Sequence, residues 1–432
     1  MDFRSIVPDE LPTPARLFLW GAVFNGLGNG IFNVILQLYL TSLGFTSSNL
    51  GSVFMMNAIG AAILTVPMGV LADRYGKKRI MLAGALAVAL SVILILTSKS
   101  VLMFQLGFLL IGVSNATGVI ISPLYSSFFE KDDLDKAFGL YGALNIATVS
   151  LGSLMGFIPP YLVDSYGFNL QSSYWLLLSL GAALFLSQFV FYMSSMRGMR
   201  EPVKGEGPKF MLQSRGLVAK FCIISILSSL SYGVFFSLFP YYVNKKFGIE
   251  SDALGALFFT SNLVAAGAMA ASSRISKRYG TLTTMVLSMG LAAPFYLLTP
   301  LAPSYLALSI LYVGRVGIRV IADPLLNSVF MKNIGDDEKS TANSIRMMAM
   351  QGANVVGPWA GGQLMDRTSM ELPAYVGGGL YAALAVFTLV LLRDTGPGTE
   401  MKAVLTVKAG FDEPAKGGSK LSPLVPNVPA KD

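Results

Sequence analysis

The stretch GVLADRYGKKR, from Gly69 to Arg79, separates two long apolar runs and gathers several charges into a short loop. A weaker copy, SRISKRYG, follows about two hundred residues later, from Ser273 to Gly280. Short basic loops between long apolar runs are typical of chains that cross a membrane repeatedly, because basic loops stay on the cytoplasmic side. The recurrence of the loop predicts two similar halves.

The composition of the whole chain also favours a membrane protein. Of its 432 residues, 53% are hydrophobic and 13% are charged, and the mean hydropathy is +0.60. These charges are too few to cover the surface of a soluble protein of this length. Each apolar run supplies the roughly 20 helical residues that cross about 30 Å of hydrocarbon. We therefore predict an all-α membrane protein with twelve transmembrane helices in two six-helix bundles.

The predicted helices follow the apolar runs, and they are numbered here in chain order. Helices 1 to 12 are expected at residues 15–42, 50–72, 79–98, 101–129, 136–162, 172–195, 217–243, 253–272, 281–299, 304–331, 341–365 and 373–392. The corresponding domains are a cytoplasmic N-terminal segment 1–14, a bundle 15–195, a cytoplasmic linker 196–216, a bundle 217–392 and a disordered cytoplasmic tail 393–432.

A second internal repeat supports the two-bundle organisation. VIISPLYSSFF, at 119–129, and VIADPLLNSVF, at 320–330, share six of eleven residues, including Pro123 and Pro324. Chance similarity between apolar helices does not explain matched prolines together with matched loops. The two halves are therefore predicted to be pseudo-symmetric, as in transporters that expose a shared central site to either side alternately.

The loop stretch resembles the signature of the major facilitator superfamily, and the resemblance covers the chain except for its tail. The motif G-x-L-A-D-R-x-G-x-K/R-K/R is matched at Gly69, Leu71, Ala72, Asp73, Arg74, Gly76, Lys77 and Lys78. The resemblance implies a transporter, with Gly69, Asp73, Arg74, Gly76, Lys77 and Lys78 forming a gating loop. It further implies that Asp73 faces the start of helix 11, where a helix N-terminus attracts negative charge.

Ionisable residues inside the predicted helices are the first candidates for a substrate site. Arg315, Arg319 and Asp323 follow one another at intervals of four on helix 10, and Arg346 lies on helix 11. Facing lipid, each would cost about 2.5 to 3.5 kcal/mol, so the stripe must face protein or water. Three arginines against one acid favour an anionic ligand group such as a carboxylate or phosphate.

A structural explanation of these charges stays open. In that case Arg319 and Asp323 pair along helix 10, and the other arginines bind backbone carbonyls. The matching positions in the first half are uncharged, since Ser114, Gly118 and Ser122 correspond to the three residues of helix 10. We interpret this asymmetry as favouring ligand contact over general support of the bundle.

The first half provides neutral polar groups instead. Asn25, Asn29, Asn33 and Gln37 recur at intervals of four on helix 1. Asn57 lies on helix 2 and Asn115 at mid-depth on helix 4, while Tyr232, Phe235 and Phe236 of helix 7 could cover an apolar part of the ligand. Amides both donate and accept hydrogen bonds, which suits hydroxyl or amide groups of a ligand. Amides inside membranes also bridge neighbouring helices, so either role is compatible with the pattern.

The residue inventory argues against several other classes of protein. The chain has no histidine and a single cysteine, Cys222. It therefore lacks the most common ligand of transition metals and the base of a Ser-His-Asp hydrolase, which argues against both classes of enzyme. No paired acids are buried as acid-base catalysis would need. We expect no enzymatic activity, no cofactor, no metal and no nucleic-acid partner. The expected partners are a small anionic substrate and membrane lipid, and we expect a monomer.

The orientation is predicted from the basic residues. Most of them fall with both termini and the loops after even-numbered helices, leaving Lys99, Lys245, Lys246 and Arg367 opposite. The positive-inside rule makes the first side cytoplasmic. The net charge of +8 then reflects topology and anionic lipid. We expect a multi-pass protein of the plasma membrane.

The leading functional hypothesis is a secondary transporter that moves a small organic anion by alternating access. One alternative is an exporter of amphipathic drugs or lipids, which would use a large aromatic and methionine-rich cavity. Another is a sensor or scaffold that keeps a transporter fold without transport. Flux in proteoliposomes separates the last hypothesis from the first two.

We predict that Asp73→Asn slows transport while leaving substrate affinity nearly unchanged, because the loop latches one side of the molecule and does not touch the ligand. Initial rates in proteoliposomes and binding isotherms of the purified variant measure the two quantities. Asp164→Asn, at the opposite end of helix 5, is the control. A wild-type transport rate in Asp73→Asn would refute the latch.

Overall fold

A computed structural model describes residues 11–130, 133–197, 214–335 and 338–393. The predicted tail 393–432 and linker 196–216 lie mostly outside these ranges, as do the first ten residues of the predicted segment 1–14. The side chains of Asp73 and Ser340 also lie outside the described part of the chain.

The described residues form helices and loops and contain no strand, which confirms the predicted fold class. Helices 1 to 6 cover Thr13–Ser42, Ser47–Tyr75, Lys77–Thr97, 101–126, 134–166 and Leu170–Ser195, and helices 7 to 12 cover Arg215–Phe247, Ser251–Tyr279, Thr281–Leu301, Tyr305–Lys332, Lys339–Arg367 and Leu372–Leu392. Within the described ranges, ten helices are long and apolar enough to cross a membrane, and helix 4 contains the shorter apolar helix Val101–Ala116.

Hydropathy located the helices well but misplaced one end by two turns. Helix 8 was expected to end at residue 272, and it continues to Tyr279 through the polar segment that carries Arg274, Lys277 and Arg278. Hydropathy marks where the apolar part of a helix ends, whereas the helix itself continues while its backbone hydrogen bonds can form. That part of the boundary prediction was wrong for this reason.

Glycines end helices 2 and 8 at equivalent places in the two halves. Gly76 has φ +93° and Gly280 has φ +85°, and each is the single residue between two consecutive helices. Only glycine adopts this backbone conformation without steric cost. A tight glycine turn therefore follows helix 2 at Gly76, and it recurs in the second half at Gly280.

Several helices are interrupted, which the hydropathy pattern did not predict. Short 3₁₀ turns divide helix 4 at Thr117–Ile120, helix 5 at Met155–Phe157 and helix 7 at Phe236–Leu238, and another ends helix 9 at Thr299–Leu301. Proline lacks an N–H and clashes with the carbonyl four residues earlier, so the helix changes course around it. The breaks in helices 5 and 7 lie where the two bundles face each other.

The two bundles approach closely at the ends of the helices farthest from the basic loops. The side where helix 1 begins, predicted to be cytoplasmic, is called the basic side, and the opposite side is called the far side. On the far side, a Cβ at Gly362 would collide with the backbone of Ser47, and a Cβ at Gly156 with that of Ser251. The far side is therefore closed by direct backbone contact between bundles.

Candidate functional site

A cavity of about 460 Å³ lies between the two bundles. Helices 1, 2, 3, 4, 5 and 6 of the first bundle and helices 7, 8 and 10 of the second contribute to its wall. Cavities of this size hold small organic molecules. Its place between pseudo-symmetric bundles makes it the candidate substrate site.

Amide side chains dominate the polar part of the wall. Seven of them come from the first bundle, namely Asn25, Asn29, Asn33, Gln37, Asn57, Asn115 and Gln188. The eighth, Asn262, comes from helix 8 of the second bundle. The asparagines predicted from sequence are thus all on the cavity wall. Their binding of substrate stays a prediction.

Part of this amide set is tied together by hydrogen bonds. Asn29 Nδ2 donates to Asn25 Oδ1 at 3.0 Å and to the Asn25 carbonyl at 2.9 Å. Asn25 Nδ2 in turn donates to Gln188 Oε1. In contrast, the side chains of Asn33, Asn115 and Asn262 make no hydrogen bond within the described part of the chain. These three amides are free to bind a ligand.

Aromatic rings form the apolar part of the wall from both bundles. Phe32, Phe54, Phe108 and Phe185 come from the first bundle, and Tyr232, Phe236, Phe258 and Tyr312 from the second. Ring faces pack against flat apolar groups, and the tyrosines also offer a hydroxyl. None of the described residues lining the cavity is charged.

The predicted charged residues lie outside this wall. Arg315 is only 2% exposed, and its Cζ stacks 3.4 Å from the ring centroid of Phe236 and 5.2 Å from that of Tyr312. Its Nη1 donates to Tyr296 Oη at 3.3 Å, and its Nε is buried without a partner. The rings of Phe236 and Tyr312 therefore lie between the guanidinium and the cavity, and cation–π contacts hold the guanidinium in place.

The other three charged residues of the predicted site have their partners within the second bundle. Arg319 Nη1 lies 3.3 Å from Asp323 Oδ2, which is the pairing along helix 10 left open by the sequence. Arg346 Nη2 donates to Asn327 Oδ1 at 2.7 Å and to Asn343 Oδ1 at 3.2 Å. These three residues are not brought together with the asparagines, and their role in binding remains a prediction.

The loop motif is described only in part. Gly76 forms the turn discussed above, and Arg74 is exposed, with its Cζ 5.7 Å from the ring centroid of Tyr75. Lys77 and Lys78 begin helix 3 and both make contacts, while Gly69 lies within helix 2. The proposed contact of Asp73 with the start of helix 11 falls on side chains outside the described residues.

Sequence reasoning missed Asn262 and Gln188. It also missed five phenylalanines of the wall, namely Phe32, Phe54, Phe108, Phe185 and Phe258. The two amides carry the same signal as the asparagines that were selected, a lone amide within an apolar helix. The phenylalanines carry no such signal, because apolar residues occur on every face of these helices. Only the packing of the bundles shows which rings face the cavity.

On the far side, an acid of helix 11 caps the start of helix 2. Asp366 Oδ2 accepts from the Ser48 backbone N–H at 2.9 Å, and Asp366 Oδ1 accepts from the Ser47 hydroxyl. The Ser47 hydroxyl also lies within hydrogen-bond reach of the Gly362 carbonyl. A carboxylate at a helix N-terminus is favoured by the helix dipole and by unpaired N–H groups. This contact holds the two bundles together.

Comparison with known proteins shows the family. The profile described as Major Facilitator Superfamily matches residues 18–219 and again residues 221–421. The chain belongs to the Major Facilitator Superfamily, and it is an integral, multi-pass membrane transporter. The double match agrees with the two similar halves of the sequence.

Relatives and solved structures cover nearly the whole fold. The chain is 22% identical to an uncharacterised MFS-type transporter of Methanocaldococcus jannaschii, over 86% of this chain and 95% of the relative. It is 23% identical to the quinolone resistance protein NorA of Staphylococcus aureus, over 84% and 92%.

Two solved structures share the fold. The nucleoside transporter NupG aligns with a TM-score of 0.67 and 14% identity, over 88% of this chain and 99% of that one. The human organic anion transporter MFSD10 aligns with a TM-score of 0.59 and 18% identity, over 87% and 100%. At these identities the likeness extends to the fold alone.

We predict that Asp366→Asn shifts the protein toward a form open on the far side, because a negative charge at an exposed helix N-terminus contributes about 0.3 to 1 kcal/mol. The ratio of open to closed molecules should rise about two- to fivefold. Spin labels at Lys99→Cys and Thr368→Cys, in a Cys222→Ser background, measure the far-side distance by double electron–electron resonance. Arg367→Gln is the neighbouring control, and equal distance distributions for Asp366→Asn and wild type would contradict the cap.

Proposed function

We propose that this transporter carries a small, uncharged organic molecule that combines hydrogen-bonding groups with a flat apolar part. The observation that supports this proposal is the cavity wall, in which eight amides and eight aromatic rings stand together without a charged side chain among the described residues. Amides bind donors and acceptors alike, and rings stack on flat groups.

The absence of a counter-charge in the described wall favours a neutral substrate on energetic grounds. A charged group that leaves water needs an opposite charge or several hydrogen bonds at its destination. The amides of Asn33, Asn115 and Asn262 can form such hydrogen bonds to a neutral polar group of the ligand. No charged group then has to be buried in the cavity. The volume of about 460 Å³ suits a solute of one or two rings.

Alternating access is the mechanism that we attribute to this fold. The far side is closed here by glycine contacts and by Asp366, so the cavity can reach that side only if the bundles separate there. A rocking of two similar bundles about the cavity achieves this. We place the basic side in the cytoplasm and the protein in the plasma membrane, acting as a monomer.

An organic anion is the second candidate substrate, and Arg315 favours it. Its guanidinium has no acidic partner among the described residues, and only the rings of Phe236 and Tyr312 separate it from the cavity. Buried arginines are suited to carboxylates. A turn of the Phe236 side chain would bring a carboxylate within its reach. Arg319, Asp323 and Arg346 support this candidate less, because each already has a protein partner.

Export of amphipathic drugs is a further possibility that the name of the relative NorA suggests. The described cavity wall contains no methionine, whereas an adaptable drug site is expected to use such flexible side chains. A sensor without transport would bind the same ligands but show no flux.

A matched ligand series tests the neutral substrate. We expect 2-naphthamide to raise the melting temperature of the purified protein more than 2-naphthoate or 2-naphthamidine, because the wall offers hydrogen bonds without charge. Asn33→Leu and Asn115→Leu should each weaken the amide about tenfold. Asn354→Leu, which loses a hydrogen bond to Gln351 outside the wall, is the control. A preference for the amidine would contradict the proposal.

The second candidate is tested with the same probes. If an anion is bound, Arg315→Met should abolish stabilisation by 2-naphthoate and leave 2-naphthamide unaffected, since methionine fills similar space without charge. Phe236→Leu should strengthen naphthoate binding, because the smaller leucine side chain leaves the Arg315 guanidinium more accessible from the cavity. Equal naphthoate binding by wild type and Arg315→Met would remove the anion hypothesis.

A further inference from the structure

Helix 7 lacks one of its own backbone hydrogen bonds at the cavity wall. In a continuous α-helix, the N–H of Tyr241 would donate to the carbonyl of Ser237. Pro240 prevents the regular path, because it has no N–H and its ring clashes with the carbonyl of Phe236. The chain makes a 3₁₀ turn instead, in which the Phe239 N–H donates to the Phe236 carbonyl.

A side chain from the other bundle fills this gap. Gln37 Nε2, on helix 1, donates to the Ser237 carbonyl at 2.8 Å. The Tyr241 N–H donates to Gln37 Oε1 at 3.2 Å. One carboxamide therefore stands between the two backbone groups that would otherwise bond each other, and it satisfies both.

The location makes this contact different from ordinary bridging of helices. Gln37 is 7% exposed, so water does not replace it in the closed structure. Gln37, Ser237 and Pro240 all line the cavity, and the contact lies in its far-side half. A buried backbone donor and acceptor left without partners would be strongly unfavourable in a membrane.

We propose that Gln37 couples closure of the far side to the backbone of helix 7. With the far side closed, its carboxamide substitutes for the missing hydrogen bond of helix 7. When the bundles separate, Gln37 withdraws with helix 1, and water entering the opened gap takes over the Ser237 carbonyl and the Tyr241 N–H. This inference rests on the alternating-access part of the proposed function, and it does not depend on the substrate.

Another hydrogen bond between the bundles provides a matched comparison. The Ser251 hydroxyl donates to the Gly156 carbonyl at 2.7 Å, joining helices 8 and 5 on the same side. It is equally buried, but its donor is a side chain, and no backbone N–H depends on it. Removing it loosens the closed side without leaving a backbone N–H unpaired.

The far-side spin-label pair at Lys99→Cys and Thr368→Cys measures the effect of each change. We expect Gln37→Leu to raise the ratio of open to closed molecules about tenfold or more, and Ser251→Ala to raise it about threefold or less. Equal shifts in the two variants would overturn the proposal, because Gln37 would then act only as one bridge among several.

A double-mutant cycle with Pro240→Ala tests the backbone substitution itself. Alanine restores an N–H at position 240 and removes the clash, so helix 7 can bond Tyr241 to Ser237 without help. Gln37→Leu should then add little to the shift caused by Pro240→Ala alone. Additive shifts, within about twofold, would overturn the proposal, since independent contacts add.

Two further variants keep the test decisive. If Gln37→Leu does not fold, Gln37→Met replaces it, because methionine has a similar length but no donor for Ser237 and only a weak acceptor for Tyr241. It should open the far side, and a closed Gln37→Met would count against the proposal. If the spin-label pair detects no molecules open on the far side in wild type or in any variant, alternating access is wrong. If Asp366→Asn opens it while the cycle is additive, only the role of Gln37 is wrong.

Discussion

The contact between the two bundles on the far side is the interaction on which the rest of the structure depends. Backbones touch there through glycines such as Gly156 and Gly362, and Asp366 accepts hydrogen bonds from the start of helix 2. Because the interior of a membrane offers no water, the buried polar groups of this seam need protein partners, and Ser47, Ser251 and Gln37 have theirs in the opposite bundle. The seam therefore joins the bundles firmly only while those partners are aligned.

The same constraint explains the chemistry of the cavity. Polar groups that face it are amides and hydroxyls, which carry no net charge and can pair with each other when the cavity is empty, as Asn25 and Asn29 do. The guanidinium of Arg315, behind the wall, lies against aromatic faces and one phenol. Rings attract a cation without neutralising it, so Arg315 keeps a capacity for an anion that the closed wall does not use.

The positions of the helices could be predicted closely from the sequence, because crossing a bilayer requires long apolar runs. The amides of the cavity could be predicted as well, since an amide within such a run is rare enough to stand out. The charged residues were located correctly on helices 10 and 11, but the stripe did not predict where they point. Arg315 is enclosed by Tyr296 and Phe236, which come from helices 9 and 7.

By itself the sequence determined the number of helices, their division into two similar bundles, the recurrence of the loop that contains Gly76 in the stretch ending at Gly280, and the family. These features follow from local rules of hydropathy, backbone conformation and repeat. Only the tertiary structure decided which polar groups share a cavity, that Arg315 lies behind Phe236, and that Gln37 completes helix 7. Such contacts join residues about two hundred positions apart, as Gln37 and Tyr241 show, and no local pattern specifies them because they depend on how the bundles pack.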